Sequence, residues 1–216
     1  MPGTTIRLPD LEIPGHTPSQ PDGADHPMRV MTRRAAGLRG PAWDAGARRE
    51  VAELFDRLAP EWHTRTSPQR AQVVADALER GGVGVGDTAL ELGSGTGAYT
   101  AALVARFPRV VSVDVSIEML RLAAPEPGQR VLADGQDLPV PGGSVDAVVL
   151  VNMFLFPDEV ERVLAPGGCV VWVNSSGEAT PIHLLPDEVA EALPGTWEGT
   201  WARAGTGLWT VLRRSR

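Results

Sequence analysis

A layered α/β fold, with a mostly parallel sheet between helices, is what this sequence predicts, and three features predict it. Short apolar runs alternate with amphipathic segments from residue 88 to residue 173. One run, Val145–Val151, is apolar almost without a break, as a parallel strand buried on both faces must be. A glycine-rich turn, Gly93-Ser94-Gly95-Thr96-Gly97, stands between a strand and a helix. Such alternation puts helices on both faces of a parallel sheet.

Residues 1–40 are rich in proline, at positions 2, 9, 14, 18, 21 and 27, and read as an extended arm. Met28–Arg34 is its most structured stretch. Val51, Leu54, Phe55 and Leu58 then share one helical face, and Pro60 ends that segment. Ser67-Pro68 is a strong helix start, with serine as N-cap and proline at the first helical position; the helix runs over Pro68–Arg80 and closes at Gly81-Gly82. Strands are expected at Thr88–Leu92, Val110–Val115, Val131–Ala133, Val145–Val151 and Gly168–Val173. Helices between them are expected at Ala98–Arg106, Ile117–Leu122 and Asp158–Leu164. Pro186–Leu193 reads as a helix. Thr196–Trp201 and Leu208–Arg213 read as an antiparallel hairpin around Arg203–Gly207. The expected organisation is an arm and cap or lid over 1–66, followed by a ligand-binding domain over 67–216.

Composition narrows the chemistry. The single cysteine, Cys169, excludes an intrachain disulfide and a cysteine-ligated iron–sulfur cluster, and it lies in an apolar run. No lysine is present, so Schiff-base chemistry and a phosphate-binding P-loop are excluded. No metal-ligand spacing stands out. The net charge of −7 comes wholly from residues 81–216, which makes nucleic acid and anionic membrane poor partners. No apolar stretch reaches the roughly 18 residues of a membrane span. The first residues lack the basic and then apolar regions of a signal peptide, so a cytoplasmic location is expected.

Three signals sit at the ends of successive strands, where an open α/β sheet binds its ligands. The glycines at 93, 95 and 97 permit a tight turn and a close approach of backbone to ligand; a purely structural turn would use them too. Asp114 ends the second strand, 21 residues past Gly93, where a carboxylate can accept two ribose hydroxyls. It could instead cap the next helix, although Ser116 can do that. Asp134-Gly135-Gln136 follows the third strand. A short acid there can accept from an adenine amino group; Asp-Gly is also a common turn. Asn152, at the end of the fourth strand, could orient a nucleophile or bond backbone. Together the three signals point to one adenosine-shaped ligand.

With these motifs in order, the chain resembles the class I methyltransferases that use S-adenosylmethionine (SAM), in their small-molecule branch. Residues 89–97, ALELGSGTG, resemble the family's glycine loop, implying that Glu91, Gly93, Gly95 and Gly97 surround the methionine part of SAM. Residues 110–120 resemble the second motif, implying that Asp114 holds the ribose and Met119 packs on the adenine. Residues 133–152 resemble the third, implying that Asp134, Gly135 and Gln136 flank the adenine and Asn152 borders the cofactor. Residues 161–173 resemble the fourth. The resemblance implies a Rossmann-like fold with a mostly parallel seven-stranded sheet, a C-terminal antiparallel hairpin, an N-terminal helical cap, and methyl transfer to a small-molecule acceptor. Candidate bases are His63, in the segment before the core, and His183, after the fifth strand. The connections after the fourth and fifth strands are short for the family, so residues 1–66 are expected to fold over the carboxyl edge of the sheet. Two rival readings are a SAM-binding protein without catalysis and an NAD(P)-dependent oxidoreductase, since Ala98 completes a G-x-G-x-x-A pattern.

Overall fold

In a computed structural model, which describes residues 4–17, 26–84, 86–124 and 128–215, the apolar runs form one sheet of eight strands. The strands are β1 (Thr5–Arg7), β2 (Thr88–Leu92), β3 (Arg109–Asp114), β4 (Gln129–Leu132), β5 (Val145–Val151), β6 (Leu164–Asn174), β7 (Trp197–Ala204) and β8 (Gly207–Arg214). Their order is β1-β7-β8-β6-β5-β2-β3-β4. All neighbours pair in parallel except β8, which runs against both β6 and β7.

The helices are α1 (Pro27–Ala35), α2 (Ala45–Leu58), α3 (Pro68–Arg80), α4 (Thr100–Val104), α5 (Ile117–Leu122), α6 (Pro157–Val163) and α7 (Pro186–Ala192), with a 3-10 segment at Ala59–Arg65. Ser67 caps α3 as expected, accepting from the Arg70 N–H at 3.3 Å. Period-two alternation sorts each central strand between two cores. Ala147, Val149 and Val151 of β5 face one with Val73, Val74 and Ala77 of α3, while Val148 and Leu150 face the other with Val160 of α6 and Val189 of α7. Asp76 ties α3 to the sheet by accepting the Trp209 indole N–H at 2.6 Å while pairing with Arg80 at 2.6 Å.

The seven strands implied by the resemblance are present, and the arm adds an eighth. Residues 5–7 pair along β7, and Leu8 and Leu11 extend the contact by donating to Trp201 and Arg203 carbonyls. This strand is held by backbone bonds, and Ile6 is 60% exposed, so it leaves no apolar pattern to read. Other elements depart from expectation too: β6 starts at Leu164 rather than Gly168, since Leu164 already pairs with Val145 ahead of the bulge. α4 begins at Thr100 rather than Ala98, because Gly97 sits at φ +78° and the chain turns through Tyr99 first. The β7–β8 connection shortens to Gly205-Thr206, since pairing continues to Ala204 and Gly207.

Residues 26–66 form a helical cap at the carboxyl ends of β2 to β6. A third apolar cluster joins Met28, Met31 and Ala35 of α1, Trp43, and Val51 of α2 to Phe154, Phe156 and Ile182. Polar ties fix it as well, among them the Arg29 guanidinium of α1, which donates to the Glu178 carbonyl. Asp56 of α2 accepts from the Ser116 hydroxyl at 2.5 Å and the Glu118 N–H at 3.2 Å; the Trp43 indole N–H reaches Asp134 at 3.4 Å; Arg33 of α1 pairs with Glu188 of α7 at 2.9 Å.

Candidate active site

The glycine turn leaves β2 with Gly93, Gly95 and Gly97 at φ of +69°, +55° and +78°, a region that costs other L-residues roughly 1–2 kcal/mol each. Space is tight as well. A Cβ on Gly93 would stand 2.6 Å from the Met153 sulfur, and one on Gly95 would stand 3.4 Å from the Trp62 indole nitrogen. The turn therefore presents bare backbone to the cavity under the cap.

That cavity has a volume of about 610 Å³. Its floor is the line of strand ends: Gly93 to Gly95 after β2, Asp114 at the end of β3, Asp134 and Gly135 after β4, Asn152 after β5, and Ser175 and Ser176 after β6. Its roof is the α2 face predicted from periodicity (Val51, Leu54, Phe55, Leu58) together with Met28, Trp43 and Trp62. The aromatic roof is braced internally. Trp43 meets Phe156 edge-on at 5.0 Å and Phe154 at 5.6 Å, and Phe55 meets Trp62 edge-on at 5.6 Å.

Asp114 is held in place by two backbone groups. One carboxylate oxygen accepts from Gly95 N–H and the other from Ser116 N–H, both at 2.8 Å. Ser116 caps α5 itself, so Asp114 is not spent on that task. Each carboxylate oxygen retains lone-pair capacity, and Asp114 lines the cavity. Burial pushes its carboxyl up, and the Ser116 and Gly95 N–H groups oppose that. Met119 is buried and lines the same wall. Asp134 accepts Gln136 N–H at 3.1 Å, closing its own turn, and Trp43 from above.

Other predicted site residues lie elsewhere. Glu91 is 2% exposed and outside the cavity wall; its Oε2 accepts from the Thr100 and Ser112 hydroxyls, each at 2.7 Å. Alternation along β2 explains this, because Leu90 and Leu92 face one core and Glu91 faces the α4 side. Burial pushes the Glu91 carboxyl up to about 7. It buttresses the turn from behind. Gly97 shapes the turn without lining the cavity, and Gln136 is exposed, contributing its backbone N–H to Asp134.

The two candidate bases do not reach the cavity. His63 is exposed, next to an inward Trp62 in a 3-10 turn that sends neighbouring side chains different ways. His183 is 5% exposed, lies behind Ile182, and has no partner for Nε2; burial, and then Arg29, push its imidazole down to about 4. The imidazole that does border the cavity is His26, within the stretch read from sequence as an extended arm. Its Nδ1 accepts from Met28 N–H at 3.1 Å as the N-cap of α1, which leaves Nε2 as a donor when the ring is neutral.

The acceptor end of the floor is polar and interlocked. Asn152, at φ +51°, donates to the Ser175 hydroxyl at 2.8 Å and accepts from Ser175 N–H at 2.9 Å. The Tyr99 hydroxyl lies against Ser175, and burial pushes it up. Tyr99, Ser175 and Trp43 carry no motif of their own, although the polar run Asn174-Ser175-Ser176 after an apolar strand marks the position. Among the described residues, no group of three or more histidine, cysteine or acidic side chains could hold a metal, and no helix is long and apolar enough to cross a membrane.

The site fits the adenosine-shaped ligand on three counts. The glycine turn bares its backbone to the cavity, a buried carboxylate with free lone pairs stands at the end of β3, and an acid with bare backbone beside it stands after β4. Comparison with known proteins agrees. A family model described as a methyltransferase domain matches residues 90–172. The chain is 34% identical over 149 residues to a demethylmenaquinone methyltransferase of Clavibacter sepedonicus, covering 62% of this chain and 61% of that one. It is 29% identical over 167 residues to the ubiquinone/menaquinone biosynthesis C-methyltransferase UbiE of Syntrophotalea carbinolica, covering 63% and 70%. Among solved structures, the complex of DhpI with SAH superposes with a TM-score of 0.65 at 23% identity, over 80% of this chain and 99% of that one, which is a likeness of fold. The chain spans about three fifths of the length of the first of these relatives; over residues 90–172 it carries a methyltransferase domain, and its motif order, sheet topology and glycine turn are similar to those of the class I SAM-dependent methyltransferases.

Proposed function

We propose that this chain transfers a methyl group from SAM to a small molecule with an apolar body. One observation carries the reading: a single cavity joins the glycine turn, Asp114 and Asp134 to an apolar roof from α1 and α2. Asp114 and Asp134 would hold ribose and adenine, and the backbone of Gly93–Gly95 would run along the methionine part. When bound, SAM supplies a methyl group made electrophilic by its sulfonium. The chain contributes placement and exclusion of water, through Trp62 over Gly95 and through the Trp43, Phe154 and Phe156 cluster.

Among the described residues, no side chain at the acceptor end is set up as a base. His26 presents a donor, Tyr99 is held protonated, and Asn152 and Ser175 bond each other. The acceptor therefore arrives already nucleophilic, as an enolate-like carbon, an anionic oxygen or a neutral amine. The names of the two quinone-pathway relatives make hydroxylated aromatic rings the first class to screen.

The test has two parts. Calorimetry with SAM, its demethylated product S-adenosylhomocysteine (SAH) and NADH should show binding of the first two alone; tight NADH binding without SAM binding would return the oxidoreductase reading. Transfer of a labelled methyl group to a panel of aromatic acceptors should then show turnover. SAH binding without transfer to any acceptor would favour a non-catalytic role.

A further inference from the structure

A second, smaller cavity of about 240 Å³ opens beside the first and shares Thr64, Arg65, Thr66, Arg70 and Ser176 with it. It is a cationic annex. None of its described lining residues carries a carboxylate, and among the described residues neither Arg65 nor Arg70 forms an ion pair. Arg65 lies over the Trp62 ring at 5.8 Å, which holds it at the border of the two cavities. Arg70 donates to the Arg65 carbonyl and lies near both His16 in the annex and Tyr99 in the main cavity. His16 accepts Thr206 N–H on Nδ1, so its neutral ring also has Nε2 as a donor. Two guanidiniums and an imidazole donor, with hydroxyls around them, match an oxyanion.

We propose that the annex binds an oxyanion, a carboxylate or phosphoryl group, carried by the methyl acceptor, so that the acceptor lies with its apolar body under α2 and its charge between Arg65, Arg70 and His16. This rests on the reading of the main cavity as a methyl-transfer site. One other source of the same chemistry is close by, the carboxylate of SAM itself. The annex extends away from the glycine turn to His16 and Gln69, which gives room for a second anion.

The test uses the full chain and inorganic phosphate as probe. Phosphorus NMR line broadening should report phosphate binding to protein already saturated with SAH, and Arg65→Gln should weaken it at least tenfold while SAH affinity stays within threefold. In the acceptor panel, aromatic acids should be methylated with at least tenfold higher kcat/KM than their neutral amides, and Arg65→Gln should erase the difference. Displacement of phosphate by SAH would assign the arginines to the cofactor's carboxylate and overturn the proposal. So would absence of phosphate binding, or phosphate binding unchanged in the variant. Loss of SAH binding by the unmodified chain would instead strike the methyl-transfer reading.

Discussion

Asp114 carries the most specific claim at the residue scale. Its two oxygens are oriented by Gly95 and Ser116 N–H groups, so on the proposed function it would meet a ribose without reorganising. Charged hydrogen bonds of this kind contribute roughly 1.5–3 kcal/mol, so Asp114→Ala should weaken SAH binding by about ten- to a hundredfold in calorimetry. Unchanged affinity in a folded variant would remove it from the site. Its place on the cavity wall was legible because a strand end and an acid 21 residues past a glycine turn are both matters of spacing. Glu91 was misplaced because the motif says nothing of which sheet face a residue takes. The same alternation that buries Leu90 and Leu92 on one side sends Glu91 to the other, under Thr100.

Among the elements, the cap is the part that spacing described incompletely. The α2 face was legible from its period of 3.6, and it does form the roof. The rest of the roof, Trp43, Trp62, Phe154 and Phe156, comes from irregular segments whose aromatics have no periodicity. The fastening of α2 to α5 is equally invisible in sequence, since Asp56 meets Ser116 across 60 residues. Asp56→Ala should leave the Ser116 hydroxyl and Glu118 N–H short of a partner and cost about 2 kcal/mol. In a domain of this size each kcal/mol moves Tm by about 2–4 °C, so calorimetry should find Tm lowered by about 4–8 °C. A Tm within 1 °C of the parent would show the tie to be idle. The arm also divided in a way its prolines did not reveal. Residues 5–7 and Leu11 pair along β7, and the cap starts at His26. Removing residues 1–8 should spare SAH affinity while baring the backbone edge of β7, and the expected sign is self-association by light scattering.

For the whole molecule, two buried groups oppose each other as pH changes. Glu91 titrates near 7 in the fold and near 4.5 when unfolded. Between those values the folded chain keeps a proton the unfolded chain has lost, so this group makes stability fall as pH rises. His183 titrates near 4 in the fold and near 6.5 unfolded. Across that window the unfolded chain binds a proton the folded chain refuses, so this group makes stability fall as pH drops. The windows overlap from about 4.5 to 6.5, and the two slopes there should nearly cancel. Urea unfolding of Glu91→Gln at pH 5, 6 and 7 should uncover the His183 slope, with stability rising with pH. His183→Gln should uncover the reverse. Parallel curves for parent and both variants would refute both assignments.

The pairing of β1 with β7 has a consequence for synthesis. Thr5 lies opposite Gly199, so β1 is synthesised long before the strand it pairs with. At about 5–20 residues per second, that partner leaves the ribosome some 10–40 s later. During that interval β1 has no strand to pair with, and the cap helices have no strand ends to cover until β2 to β6 are made. β1 and the cap helices are therefore late folders, open to a chaperone or a protease while translation proceeds.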